Sequence, residues 1–151
     1  MTGPRKAWDV PPLYFVLALA IEIVIAVAPG SQFVYYPYNY IGVILVPAGF
    51  AIAAAALAQF RKAGTTRHPH EPPTAFVTSG PYRFSRNPMY FGLFLILLGA
   101  AFLLQRLLGF VLPFAFGWIV SRRFIEPEEG RLHAMYGDAY DSYLDRTRRW
   151  L

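Results

Sequence analysis

Thr78 to Tyr90, TSGPYRFSRNPMY, is the polar hinge that delivers the chain into its third long apolar run. Gly80-Pro81 is a turn dipeptide, because proline presets φ for a turn and glycine escapes the restriction proline places on its neighbour. Asn87-Pro88 then starts a helix. Asparagine is a strong N-cap and proline at the first helical position loses no hydrogen bond, so the backbone N–H groups of Met89 to Phe91 are expected free at a helix N-terminus. Arg83 and Arg86 lie just upstream, which makes this an anion-binding corner.

Upstream, Leu13 to Ala28 (LYFVLALAIEIVIAVA) reaches the length a bilayer needs once Val10 to Pro12 is added, so 10–28 is the first expected span. A signal peptide is the rival, since Arg5 and Lys6 precede the apolar core; Glu22, Pro29 and three further apolar runs speak against it. Pro29 to Asn39 is a short loop whose tyrosines suit a membrane interface. The second span is 40–60, where Gly42, Gly49 and the alanines (Ala51, Ala53 to Ala56) let a neighbouring helix approach closely. Arg61 to Asn87 is the one long polar segment.

Downstream, the third span is 88–104 and the fourth 107–125, separated by Gln105-Arg106, a connection tight enough to imply an antiparallel hairpin. Both arms are short for ~30 Å of hydrocarbon. The expected class is an all-α integral membrane protein: one domain of about four transmembrane helices, followed by a cytoplasmic amphipathic helical segment over 126–147.

Composition agrees. Of 151 residues, 56% are hydrophobic and only 15% charged, and the mean hydropathy is +0.35. Cysteine is absent, which removes disulfides, thiolate metal sites and a catalytic thiol. A net charge of +5 would suit nucleic acid; the charges, however, are sorted by membrane side. If the spans alternate, 13 of the 14 basic residues share one face and Arg106 stands alone opposite. Nucleic acid is therefore excluded, and both termini, the 61–87 loop and the hinge are expected in the cytoplasm of a prokaryotic cell, at its inner membrane.

After the fourth span, Glu129, Leu132, Tyr136, Tyr140 and Tyr143 share one narrow sector at helical spacing, a carboxylate heading a tyrosyl stripe. Gly137-Asp138 is a candidate break with Asp138 as N-cap. The hinge and this acidic stripe are expected on the same membrane face. Together they offer Arg86 or helix N–H groups to an anion, Glu128 or Glu129 to hydroxyls or an ammonium, and tyrosines to an aromatic ring or a cation. S-adenosylmethionine carries all these groups. Other candidates are weaker. Glu22 sits inside a span, where a carboxylate is a functional hypothesis by default. His68-Pro69-His70-Glu71 lacks further ligands, so no metal is expected.

TSGPYRFSRNPMYFG, then the hairpin, then Glu128-Glu129, Leu132, Tyr136-Gly137, Tyr140 and Tyr143 resembles the integral-membrane methyltransferase family of isoprenylcysteine carboxyl methyltransferases, phospholipid N-methyltransferases and small prokaryotic relatives. The resemblance covers Phe76 to Arg146. It implies that S-adenosylmethionine binds between the two motifs, at Arg86, Pro88, Tyr90, Glu128 and Glu129, with S-adenosylhomocysteine as product. Tyr82, Asn87, Tyr136 and Tyr140 complete the expected cofactor site, and Arg86 and Glu129 are the expected catalytic pair. The family often has histidine where this chain has Asn87. The implied acceptor is lipophilic: a phospholipid amine, or an isoprenylcysteine-like carboxylate or thiol. The competing class is a non-enzymatic small membrane protein, an assembly factor or transporter subunit, in which Glu22 would matter more than Arg86 and Glu129.

Overall fold

The computed structural model describes residues 9–30, 37–62 and 77–151; the His68–Glu71 cluster and parts of both aqueous loops lie outside them. Among the described residues the chain is all-helical, with no strand. Helix α1, Pro11–Val27, has proline in its first turn, where no N–H is needed, and ends before Pro29. Arg106, the isolated cation of the sequence, donates from Nε and Nη2 to the Ala26 carbonyl at 3.0 and 2.6 Å. It thereby satisfies one of the orphan carbonyls at the end of α1.

Helix α2, Asn39–Lys62, runs 24 residues through an internal Pro47. Helix α3, Pro88–Leu104, coincides with the expected third span and contributes the most buried residues of any helix. It is the central element, packed on α2, on α1 and on the helix that follows. The α2–α3 contact is a close approach of backbones. A Cβ on Gly49 would come 2.5 Å from the Gly92 carbonyl, one on Gly92 would come 2.6 Å from the Gly49 carbonyl, and one on Gly42 would collide with the Gly99 carbonyl. The small residues anticipated on α2 thus meet glycines of α3 whose role was not anticipated.

Gln105, in the left-handed region at φ 55°, reverses the chain. Phe102 then meets Phe110 at 4.7 Å and Phe94 meets Phe114 at 5.5 Å, both edge to face. The returning helix does not stop where expected. From Leu107 it continues without a break to Tyr136, 30 residues, as a short 3-10 entry, α4 (Val111–Val120), a π-helical stretch Ser121–Ile125 and α5 (Glu126–Tyr136). The π stretch explains why Pro127 does not end it: the Glu126 N–H reaches back five residues to the Ser121 carbonyl, rephasing the ladder just ahead of the proline.

Gly137, at φ 48°, then breaks the helix, and α6 covers Asp138–Leu144. The break was expected, but Asp138 does not cap α6: the cap position is Gly137, and no side chain caps it.

Two of these helices, Asn39–Lys62 and Leu107–Tyr136, are long and apolar enough to cross a membrane, and only 17% and 33% of their most apolar windows is buried within the protein. Their apolar surface faces outward, the reverse of a soluble bundle. Helices α1 and α3 are apolar but 17 residues each, roughly 26 Å at ~1.5 Å per residue. The core they enclose gathers Ala18, Tyr90, Leu97, Phe116, Val120, Phe124 and Ile125.

Candidate active site

At one end of the bundle, the C-terminus of α2, the hinge before α3, the start of α5 and α6 converge on a single cleft. The hinge is pinned first. Gly80 takes φ +61°, a backbone conformation that favours glycine, and it lies against the Gln59 side chain. The Ser79 hydroxyl donates to Gln59 Oε1 at 3.2 Å. Next, Tyr82 is buried edge-on against Phe60 at 5.3 Å, and its carbonyl accepts the Tyr143 hydroxyl at 2.7 Å. These contacts fix the hinge to α2 on one side and to α6 on the other.

The hinge is the N-terminal cap of α3, although not by the expected means. Asn87 occupies the cap position, yet its side chain makes no capping bond. The Asn87 Nδ2 donates instead to the Arg149 carbonyl at 3.1 Å, while the Asn87 N–H is taken by the Ser85 hydroxyl at 3.1 Å. Nor is Phe91 N–H free, since it bonds to the Asn87 carbonyl at 3.0 Å.

Arg86 and Glu129, far apart in sequence, stand side by side. Arg86 Nε lies 3.3 Å from Glu129 Oε1, with both side chains 16% exposed. The contact is an ion pair without hydrogen-bond geometry, so the buried Arg86 Nε–H makes no hydrogen bond among the described residues. The other arm of the guanidinium touches the Leu144 carbonyl at 3.5 Å. Glu129 has a second cation: Arg149 Nη2 approaches Oε2 at 2.6 Å. Arg149 also lies 3.5 Å from Glu126.

Around this cluster the cleft is lined by Tyr82, Asn87, Tyr90, Glu128 and Tyr140 of the expected site, and by Phe60, Met89, Ile125, Leu132 and Tyr143. The cavity between these side chains is small, about 60 Å³, and it opens to the surface. Two expected residues are not on its wall. Pro88 is buried behind it, and Tyr136, ahead of the Gly137 break, is only half-buried. The break turns the stripe there: Tyr140 and Tyr143 swing in while Tyr136 does not. Burial and then the Glu129 charge push the Tyr140 hydroxyl up to about 12; burial pushes Tyr143 up to about 12 as well. The hydrogen bond to Glu129 raises the Arg149 guanidinium above its ordinary range.

Arg149 was missed in the sequence. Nothing local separates it from Arg146 and Arg148, and all three read as membrane-face anchors. Its role depends on which part of the bundle the chain crosses after α6.

A motif pair from the hinge and the start of α5, brought into one cleft on an all-helical bundle, sets the frame for comparison. The model of the family described as phospholipid methyltransferase matches residues 38–139. The chain belongs to the phospholipid methyltransferase family. No individual curated protein matches it. As a phospholipid methyltransferase family member, with two helices able to cross a bilayer, it is an integral membrane protein of methyltransferase type directed at lipid-like substrates. The match takes in the hinge, α3 and the acids of α5, and leaves α1 and residues 140–151 outside.

Proposed function

We propose that this protein transfers a methyl group from S-adenosylmethionine to a lipophilic acceptor at the cytoplasmic face of a prokaryotic inner membrane, with four spans and both termini in the cytoplasm. The observation that carries this is the Arg86–Glu129 pair, 3.3 Å apart at the wall of a cleft lined by tyrosines. The residues suit the cofactor chemically. Arg86 keeps a buried N–H donor that has no hydrogen bond among the described residues, the complement of a carboxylate. Glu128 and Glu129 offer acceptors to hydroxyls or an ammonium, and the tyrosine rings suit an aromatic base or a cation.

When bound, the sulfonium supplies an electrophilic methyl group open to in-line displacement. The protein's contribution is alignment and exclusion of water. Arg86 and Glu129, side by side as an ion pair, hold the polar part of a ligand at the α3–α5 junction. Met89, Ile125 and Leu132 give the cleft an apolar wall beside it, suited to an acyl or prenyl chain that arrives laterally from the bilayer. With an amine acceptor, Glu128 or Glu129 takes the proton released on methylation.

Calorimetric titration of the detergent-purified protein with S-adenosylmethionine and S-adenosylhomocysteine tests this. Saturable binding, weakened in Arg86→Ala and Glu129→Ala, is expected; a folded protein that binds neither ligand overturns it. Labelled cofactor with lipid extracts then identifies the acceptor and whether N, O or S is methylated.

A further inference from the structure

After α6 the chain crosses back over the start of α3, beyond the family-matched residues. Here it forms a strap. Arg86 N–H donates to the Arg148 carbonyl at 2.9 Å and Arg148 N–H to the Phe84 carbonyl at 3.5 Å, a short parallel bridge with the hinge. The Arg149 carbonyl is held twice more, by Ser85 Oγ at 3.4 Å and Asn87 Nδ2 at 3.1 Å. Thr147 is buried and donates to the Tyr143 carbonyl at 2.6 Å. Trp150 packs on the bundle core, its ring 6.3 Å from Phe94. Backbone clamped at so many points presents a side chain in one direction.

That direction is toward Glu129. Arg149 approaches both carboxylate oxygens, Nη2 to Oε2 at 2.6 Å and Nε to Oε1 at 3.4 Å, the fork geometry that fixes a carboxylate plane. Arg86 shares Oε1 at 3.3 Å but without hydrogen-bond alignment. Of the two cations, Arg149 alone holds Glu129 by directed bonds.

We propose that Arg149 is a positioning residue of the ligand site, orienting Glu129 in the cleft, and that Asn87 sets Arg149 by gripping its backbone carbonyl. The proposal rests on the cleft being the S-adenosylmethionine site. It gives Asn87 a use as a side-chain N–H donor to the strap. A displaceable latch, with Arg149 competing for Glu129 against the ligand, would require the strap to leave; the four clamps and Trp150 oppose this.

The test is a double-mutant cycle in S-adenosylhomocysteine binding, read by calorimetry on the full chain, with ligand-free thermal midpoints recorded alongside. Arg149→Ala is expected to weaken binding by about tenfold or more, and Arg149→Lys, with charge but no fork, to fall between it and the native chain. In a Glu129→Gln background, Arg149→Ala should cost less than about threefold, because residues acting through one another are not additive. If Arg149→Ala melts too low to titrate, Arg149→Lys carries the same comparison. Unchanged or tighter binding in the Arg149 variants, or losses that simply multiply, overturns the proposal while leaving the cofactor site standing. Absence of binding in the native protein overturns both.

Discussion

Glu129 and Glu22 are both carboxylates withdrawn from water, and the fold treats them in opposite ways. Glu129 lies at the end of the bundle between two guanidinium groups. Glu22 lies in the middle of α1, 1% exposed, and neither of its oxygens has a hydrogen-bond partner among the described residues. One turn away, Ala18 belongs to the apolar core cluster. A buried charge that is paired and hydrogen-bonded is organised for a task, whereas an unpaired buried polar group costs stability. The contrast separates a carboxylate held by two cations from one without a hydrogen-bond partner among the described residues.

The largest effect should come from breaking the paired site. Glu129→Ala is expected to lower cofactor affinity and turnover on the order of 100-fold, since charge-assisted bonds are the strong ones and their loss leaves Arg86 and Arg149 facing one another. Titration calorimetry and methyl-transfer assays check this; near-native affinity would erase the distinction between the two acids. Glu22→Leu is the converse case. Removing an unsatisfied buried group should stabilise, or leave unchanged, a fold it costs about 1–3 kcal/mol, seen as a thermal midpoint equal to or above native with activity intact. A stable Glu22→Leu protein without activity would make Glu22 a functional residue after all.

Arg106 sharpens the comparison, because it reaches the C-terminal end of α1, one turn beyond Glu22, and donates to the Ala26 carbonyl. Arg106→Ala should cost about 1–2 kcal/mol in lost capping. Its loss should add to the Glu22→Leu effect within about 0.5 kcal/mol in denaturation, the mark of independent sites. Strong coupling would reveal that Glu22 uses Arg106.

The smallest effect is a titration. Tyr140 and Tyr143 ionise near 12 in the folded protein against about 10 in an unfolded chain. Their contribution is therefore complete below pH ~10 and is lost as pH rises through about 12. Tyrosinate absorbance should show two late-ionising groups whose appearance tracks unfolding, and Tyr140→Phe should remove one of them.

Much of this molecule follows from local chemistry. The apolar runs, punctuated by Pro29, Pro88 and Gln105-Arg106, place α1, α2 and α3 nearly to the residue, because a helix in an apolar setting must satisfy its own backbone bonds and can end only where the sequence offers a break. The hinge and acid motifs likewise announced Arg86 and Glu129, each beside a helix start with its own signature. Tertiary structure decided the rest. It determined that Gly92 and Gly99 meet Gly49 and Gly42, that a π stretch carries the fourth helix past Pro127, that Asn87 serves the strap in place of its own helix, and that Arg149 is not one more surface cation. Propensity, capping and periodicity act within a turn or two of a residue, whereas these features are contacts between segments whose adjacency exists only once the bundle has packed.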